Sequence, residues 1–319
     1  MPDKINLSVV IPVYNEEENI AELSARLTKV CQALGKTYEI IYVDDGSQDG
    51  TIEAIKKAKV NDKHISAVCL AKNFGKAGAY AAGFHEAKGD VIITMDGDLQ
   101  DRPEQIPDFL KKIEEGYDLV TGWKYTGKGK RALSSILFNG LVQRLTKLRN
   151  IHDTNCPFKA YKAEIVSSRE ENKNAGLWIY GNLYRFIPAM AFWKGYRVTE
   201  IKVENDPRRF GQTKYGPTRF VGGFLDLLTV IFLTQYIKRP MYFFAILGLP
   251  MLLAGILLDL AIVLWGLLVT GRVGHFAFLI LGLVSVIIGI QFIFTGLLSE
   301  MIVRLHQEQR RDIPVYKKI

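Results

Sequence analysis

Apolar residues follow two patterns along this chain, and the change from one to the other organises everything else. Over the first 125 residues, short apolar runs at Leu7 to Val13, Glu39 to Val43, Ala67 to Leu70, Val91 to Met95 and Leu119 to Val120 alternate with stretches of helical period such as Glu17 to Leu34 and Pro103 to Glu115. That alternation predicts a mostly parallel sheet covered by helices, because parallel strands need helical crossovers and are buried on both faces. Ligands of such sheets bind beyond the carboxyl ends of the strands.

The last third is apolar on every face. From Met241 to Val269 the only charged residue is Asp259, and from Phe276 to Leu298 there is none. Each stretch exceeds the roughly 20 residues that cross a bilayer as a helix, and a buried core helix is rarely apolar on every face over such a length. Two transmembrane helices are therefore predicted within 241–303. Lys238 and Arg239 precede them, and Arg304, Arg310, Arg311, Lys317 and Lys318 follow, so both flanks are expected in the cytoplasm with the Thr270 to His275 turn outside. The chain opens with Met-Pro-Asp-Lys and a strand-like run, without the pattern of a signal sequence, which predicts that residues 1–218 stay on the side of synthesis as a catalytic domain.

Two further segments are amphipathic. Phe220 to Ile237 is interrupted by Asp226, Gln235 and a Gly-Gly pair, and a third crossing would separate the catalytic domain from the basic tail at 304–319. Residues 219–240 are accordingly read as a helix in the membrane interface. Leu133, Ile136, Leu137, Leu141, Leu145 and Leu148 recur at helical spacing beside Arg131, Arg144, Lys147 and Arg149, which predicts a second such helix at about 131–149, with an ordinary core-facing helix as the equal alternative.

Composition narrows the partners. The 319 residues carry a formal charge of +8, which favours anions: nucleic acid, an anionic membrane surface or phosphorylated substrates. Cys31, Cys69 and Cys156 are far apart, and the five histidines show no ligand spacing, so neither a disulfide framework nor a zinc cage is suggested.

The chemistry collects at predicted strand ends. Pro12-Val13-Tyr14-Asn15-Glu16 follows the first run, Asp44-Asp45-Gly46-Ser47 the second and Asp96-Gly97-Asp98-Leu99-Gln100 the fourth. In an extended segment Asp96 and Asp98 point the same way and can converge on one hard cation, Mg²⁺ or Mn²⁺, that leaves positions open for phosphate oxygens. A lone D-x-D is often only a solvated turn; three acidic strand ends in order are more specific.

Together, Ser8 to Glu16, Val43 to Ser47 and Met95 to Gln100 resemble the motifs of family 2 glycosyltransferases. The likeness extends over essentially the whole chain to the polyprenyl-phosphate branch that includes dolichol-phosphate mannose synthases and bactoprenol glucosyltransferases with two carboxy-terminal spans. It implies an α/β fold of GT-A type, a nucleotide-binding sheet with interfacial amphipathic helices and two C-terminal transmembrane helices. It also implies inverting transfer of a hexose from a nucleotide-diphosphate sugar to a polyprenyl phosphate lipid, at the cytoplasmic face of the inner (plasma) membrane. Glucose from UDP-glucose to undecaprenyl phosphate is the preferred reading, and mannose from GDP-mannose uses the same motifs.

By that resemblance Pro12, Tyr14, Glu16, Asp44, Asp45, Asp96, Gly97 and Gln100 bind the nucleotide sugar, Asp96 and Asp98 hold the metal, and Asp98 and Asp153 are catalytic. Gly122-Trp123-Lys124 stands where the family has G-x-R, and lysine cannot grip a phosphate bidentately. Asp153-Thr154-Asn155-Cys156-Pro157-Phe158 matches a family segment, with proline in place of the usual glycine. The loop Arg208 to Tyr215 resembles the branch's basic glycine loop, and Arg131, Arg149, Arg209 and Lys214 are assigned to the acceptor phosphate; anionic headgroups would attract the same cations. Since a phosphate monoester is already anionic at neutral pH, Asp98 is expected to outweigh Asp153, which could position the acceptor or take a residual proton.

Other classes fit less well. A processive polysaccharide synthase would show Q-x-x-R-W and more spans, and a dinucleotide-binding oxidoreductase would show G-x-G-x-x-G after the first strand, whereas Gly75, Gly78 and Gly83 have other spacing. A non-catalytic membrane scaffold or oligomeric pore would use Asp259. Exposed glycines and Asp259 in the spans make a homo-oligomer the expectation, and no nucleic-acid partner is expected.

Overall fold

A computed structural model of the chain describes residues 4–124, 148, 151–166, 177, 183–207, 228–236, 239–272 and 274–309. The expected amphipathic helix at about 131–149 (Leu148 apart), residues 219–227 of the expected interfacial helix, and the tail from Arg310 lie outside the described residues. The chain divides into two compact units, Met1–Val230 and Ile231–Ile319.

In the first unit the elements run β1 (Leu7–Val13), α1 (Glu17–Ala33), β2 (Tyr38–Asp44), α2 (Thr51–Asn61), β3 (Ile65–Cys69), α3 (Gly75–Glu86), β4 (Val91–Thr94), a 3₁₀ turn (Pro103–Gln105), α4 (Ile106–Glu114), β5 (Leu119–Lys124), β6 (Lys159–Lys162), α5 (Ala163–Val166), a 3₁₀ turn (Leu183–Phe186), α6 (Ile187–Trp193) and β7 (Val198–Val203). They form one seven-stranded sheet ordered β3-β2-β1-β4-β6-β5-β7. Strand β6 runs antiparallel to β4 and β5, and every other pair is parallel. All five predicted strands are present. Strands β6 and β7 were not foreseen, because β6 is only Lys-Ala-Tyr-Lys and β7 is a half-exposed strand that carries Glu200 and Lys202.

Burial explains the layout. Strand β1 lies between β2 and β4, and every residue but Pro12 is buried, which is why its sequence is apolar without alternation. Helix α1 buries Ile20, Leu23, Leu27 and Cys31 in the core beneath Tyr42 and Ile55. Helix α4 buries Ile106, Phe109, Leu110 and Ile113, with the Phe109 and Phe158 rings 4.3 Å apart. The glycines that lacked a dinucleotide pattern serve packing: a Cβ on Gly83 would sit 2.3 Å from Val10 Cγ1, so α3 can lie against β1 only with glycine there.

The second unit contains α7 (Pro240–Trp265), continued by a π-helical turn over Gly266–Thr270, and α8 (Phe276–Gln309). Both are long and apolar enough to cross a membrane. Their outward side chains, such as Leu257, Leu268 and Ile302, are exposed, as for helices whose solvent is lipid. The two helices meet along glycines spaced by seven: Gly248 opposite Gly289, and Gly255 opposite Gly282. A Cβ on Gly255 would lie 2.5 Å from the Gly282 carbonyl oxygen, so backbone meets backbone there. Close approach of this kind supplies the dispersion that holds helices together where water gives no hydrophobic drive. Asp259 is folded onto the same seam: its Oδ1 is buried with no hydrogen-bond partner among the described residues, and a Cβ on Gly282 would fall 2.0 Å from it.

Gly255→Val should wedge the hairpin apart. The expected cost is about 1–3 kcal/mol from overpacking, read as a lower melting temperature of the helical signal in detergent, while Leu257→Val on the exposed face should leave it nearly unchanged.

Candidate active site

The chain reverses direction across the sheet at β1. Strands β2 and β3 are added on one side of it and β4 on the other, so the carboxyl ends of β1 and β4 flank the topological switch point where α/β sheets open a crevice. Two loops line the β1 and β2 side. Asn15 takes a left-handed conformation at φ 55°, which its short amide side chain tolerates. Its N–H donates to Ser47 Oγ at 2.9 Å, and its Oδ1 accepts from Gln48 N–H at 2.8 Å. The Glu16 N–H donates to Thr51 Oγ1 at 2.9 Å, and Glu16 Oε2 accepts from Asn19 at 2.6 Å. The Tyr14 to Glu16 loop is thereby stapled to the loop after β2, leaving Pro12, Tyr14 and Glu16 half-buried.

Asp44 and Asp45 are buried, at 1 % and 5 % exposure, and their carboxylates face backbone. Asp44 accepts from Ser47 N–H at 3.2 Å, closing the turn. Asp45 accepts from Phe74 N–H at 2.7 Å and Gly75 N–H at 2.9 Å, which fixes the start of α3. Gly46 between the loops has φ 77° and a Cβ there would meet the Lys72 carbonyl carbon at 2.9 Å, so no other residue fits. A carboxylate with two oxygens retains acceptor capacity after these bonds, so Asp45 can still take a ligand donor.

On the β4 side, the strand ends at Thr94, and Asp96 to Leu99 leave it through a bend. The extended geometry on which the i, i+2 argument relied stops before Asp96. Gly97 allows β4 to press against β1, where a Cβ would lie 2.7 Å from Val13 Cγ1. Leu99 then takes φ 60° while buried, an unusual conformation for a bulky residue. Such strain concentrates where surrounding structure fixes a functional turn. Asp98 is 5 % exposed and accepts from Gln100 N–H at 3.2 Å. Asp96, by contrast, is partly open and ion-paired with Lys76 of α3.

Lysines enter this acidic turn from three directions. Asp101 is fully buried; its Oδ2 accepts from Asp96 N–H at 3.2 Å and its Oδ1 lies 3.3 Å from Lys124 Nζ. Burial pulls the Lys124 ammonium down, but the Asp101 carboxylate more than offsets this and holds it above the ordinary lysine range. Lys124 thus pairs with the buried acid of the turn. Lys159, opposite both Thr94 and Thr121 in the sheet, is 2 % exposed and donates to the Cys156 carbonyl. Burial pushes its ammonium down to about 8.

Asp153 heads the loop that these groups anchor. Thr121 Oγ1 donates to the Asp153 carbonyl at 3.4 Å, Thr94 Oγ1 to that of Pro157 at 2.8 Å, and Gly122 N–H to that of Phe158 at 2.8 Å. The Asp153 carboxylate accepts from Asn155 N–H at 3.0 Å. Next to it, His152 pairs with Glu200 at 2.5 Å and stacks on Trp123 with ring centres 4.4 Å apart. Sequence reasoning missed Lys76, Asp101 and Lys159; only Asp101 left a trace, as the third acid of Asp96-x-Asp98-x-x-Asp101. Arg131, Arg149, Arg209 and Lys214 lie outside the described residues.

The donor set suits a hard divalent ion. Among the described residues no group of three or more His, Cys, Asp or Glu is placed to hold a metal ion; a hard ion on one or two carboxylates would take phosphate oxygens to complete its shell. That Lys76 already sits on Asp96 shows that the position attracts positive charge.

A seven-stranded sheet with an acidic turn at the switch point defines the GT-A class of sugar-nucleotide transferases. Glucosyl-3-phosphoglycerate synthase from Mycobacterium tuberculosis, solved with Mn²⁺ and uridine-diphosphate-glucose, superposes with a TM-score of 0.56 at 18% identity over 71% of this chain and 79% of that one. Mannosyl-3-phosphoglycerate synthase from Rubrobacter xylanophilus gives 0.53 at 13% identity over 72% and 74%. Residues 8–169 match the family model described as glycosyl transferase family 2. Undecaprenyl-phosphate 4-deoxy-4-formamido-L-arabinose transferases of Salmonella paratyphi B and Salmonella newport are each 34% identical over 308 residues, covering 95% of this chain and 90% of theirs. The chain belongs to glycosyl transferase family 2.

Lys159 yields a pH-dependent signature. Its folded value lies below that of a free lysine, so between about 8 and about 10.4 the unfolded chain binds more protons and stability contributed at this site rises with pH. Lys159→Met is therefore expected to gain melting temperature relative to wild type near neutral pH and to lose that advantage as pH climbs through this window.

Proposed function

We propose that this glycosyltransferase moves a sugar from a nucleoside diphosphate donor to a polyprenyl phosphate at the cytoplasmic face of the inner membrane. The Asp96-Gly97-Asp98 turn at the β1/β4 switch point carries the reading. Two helices fit to span a bilayer and relatives named as undecaprenyl-phosphate transferases support the lipid acceptor. Asp96 and Asp98 hold Mg²⁺ or Mn²⁺, which when bound neutralises charge on the departing diphosphate. Pro12, Tyr14, Glu16 and Asp45 line the place of base and ribose, and Gly97 and Gln100 that of the donor phosphates.

The acceptor phosphate oxygen attacks the anomeric carbon from the face opposite the diphosphate, forming one C–O bond as the other breaks and inverting the centre. An oxygen that is already anionic needs orientation more than deprotonation. Arg131, Arg149, Arg209 and Lys214 orient it, and Asp153 positions it or receives a residual proton.

For the donor, UDP-glucose is the first reading, supported by the two-span architecture. A 4-deoxy-4-formamido-L-arabinose donor is the second, supported by relatives of that name at 34% identity. A panel of nucleotide sugars, GDP-mannose included, with undecaprenyl phosphate and Mg²⁺ distinguishes them. In the same assay Asp98→Asn should lower kcat by about 10²-fold or more, the scale for losing a charge-stabilising group, and Asp153→Asn by less. Near-normal turnover of the Asp98 variant would remove the metal assignment.

A further inference from the structure

Lys76 occupies a place that sequence reasoning did not mark. It sits in the first turn of α3, directly after the two N–H groups that Asp45 holds. The β2 loop therefore fixes where this lysine enters the site. Its ammonium reaches across to Asp96, with both side chains about one-quarter exposed, at 23 % and 26 %. Beneath it lie two aromatic faces: Nζ is 6.0 Å from the ring centre of Tyr80 and 5.9 Å from that of Tyr184. Tyr80 is 2 % exposed and stacked on Phe84, so this shelf is rigid.

The neighbouring lysines are differently committed. Lys124 pairs with buried Asp101, and Lys159 bonds the Cys156 carbonyl. Of these three, Lys76 is the one ion-paired with a carboxylate assigned to the metal.

We propose that Lys76 is the counter-ion Asp96 exchanges for the divalent cation, and that this exchange makes cation binding depend on nucleotide. The inference rests on the assignment of Asp96 and Asp98 to the metal. While the ammonium neutralises Asp96, a divalent ion must displace it, and a largely buried ammonium without an anion is costly. The aromatic shelf keeps the displaced ammonium in the site. A donor diphosphate supplies the anion it then needs, so each ligand strengthens the other, and that coupling is reciprocal. Lys76 ends beside the diphosphate, where negative charge grows as the sugar leaves.

Mn²⁺ binding followed by electron paramagnetic resonance of the free ion, with no nucleotide, with UDP and with GDP, tests this on the full-length protein in detergent. Wild type should bind Mn²⁺ weakly alone and about tenfold more tightly with the nucleotide it accepts. Lys76→Met and Lys76→Gln should bind Mn²⁺ alone several-fold more tightly than wild type and lose most of the nucleotide enhancement, and Lys76→Arg should behave as wild type. Two variants guard against a folding defect in one, checked by unchanged circular dichroism. Variants that bind Mn²⁺ alone no better than wild type, or that keep the full enhancement, overturn the exchange while leaving the metal site standing. No Mn²⁺ uptake by wild type under any condition overturns the metal assignment and the exchange with it.

Discussion

Everything at the catalytic end of the sheet follows from bringing carboxylates together in a poorly solvated crevice. Asp96, Asp98 and Asp101 lie within one short turn, with Asp98 and Asp101 almost wholly removed from water. Like charges so placed repel strongly at low effective dielectric, and the fold answers with ammonium groups from two separate elements. Lys124 comes from the end of β5 and Lys76 from α3. Removing one member of such a network leaves an uncompensated buried charge, which is why buried pairs matter more for geometry than for net stability.

The same constraint dictates the backbone. To set an acidic turn of β4 beside the end of β1, the chain uses a glycine at 97, where a methyl group would collide with Val13, and forces Leu99 into a left-handed conformation. Opposite, Asn15 adopts a similar conformation and is held by the Ser47 and Gln48 turn. Asp45 links the two sides by fixing the start of α3, the helix that carries Lys76. A change in any of these loops is therefore felt at the others through backbone hydrogen bonds.

Much of this architecture was legible in the sequence because it depends on local periodicity. Unbroken apolar runs marked β1, β2 and β4, and the spacing of Ile20, Leu23, Leu27 and Cys31 marked the buried face of α1. The strand-end acids were legible as a motif, and the spans by length and lack of charge. Strand β6 was not, since a four-residue strand with a lysine at each end carries no apolar signal, and its burial depends on pairing with β4 and β5 far away in sequence. Lys76, Lys124 and Lys159 were illegible as a set for the same reason: their common surroundings exist only once α3, β5 and β6 converge. Local pattern also misjudged Asp96 to Asp98, where the left-handed Leu99 replaces an extended strand end.

The distribution of cationic and proton-accepting groups bears on the chemistry. His152, the one histidine beside Asp153, is engaged with Glu200 and stacked on Trp123, so its ring is committed to those two partners. What the crevice offers instead is fixed ammonium groups and carboxylates suited to a hard cation. A hydroxyl acceptor would need its proton taken before attack, and a site built for it would place a base with a matched pKa against the acceptor. An acceptor phosphate brings its own anionic oxygen, and the barrier then lies in holding two anions close and neutralising the diphosphate that leaves. A site whose ammonium groups and carboxylates are fixed in place by backbone is suited to that task, because preorganised charge costs no rearrangement when the bond breaks.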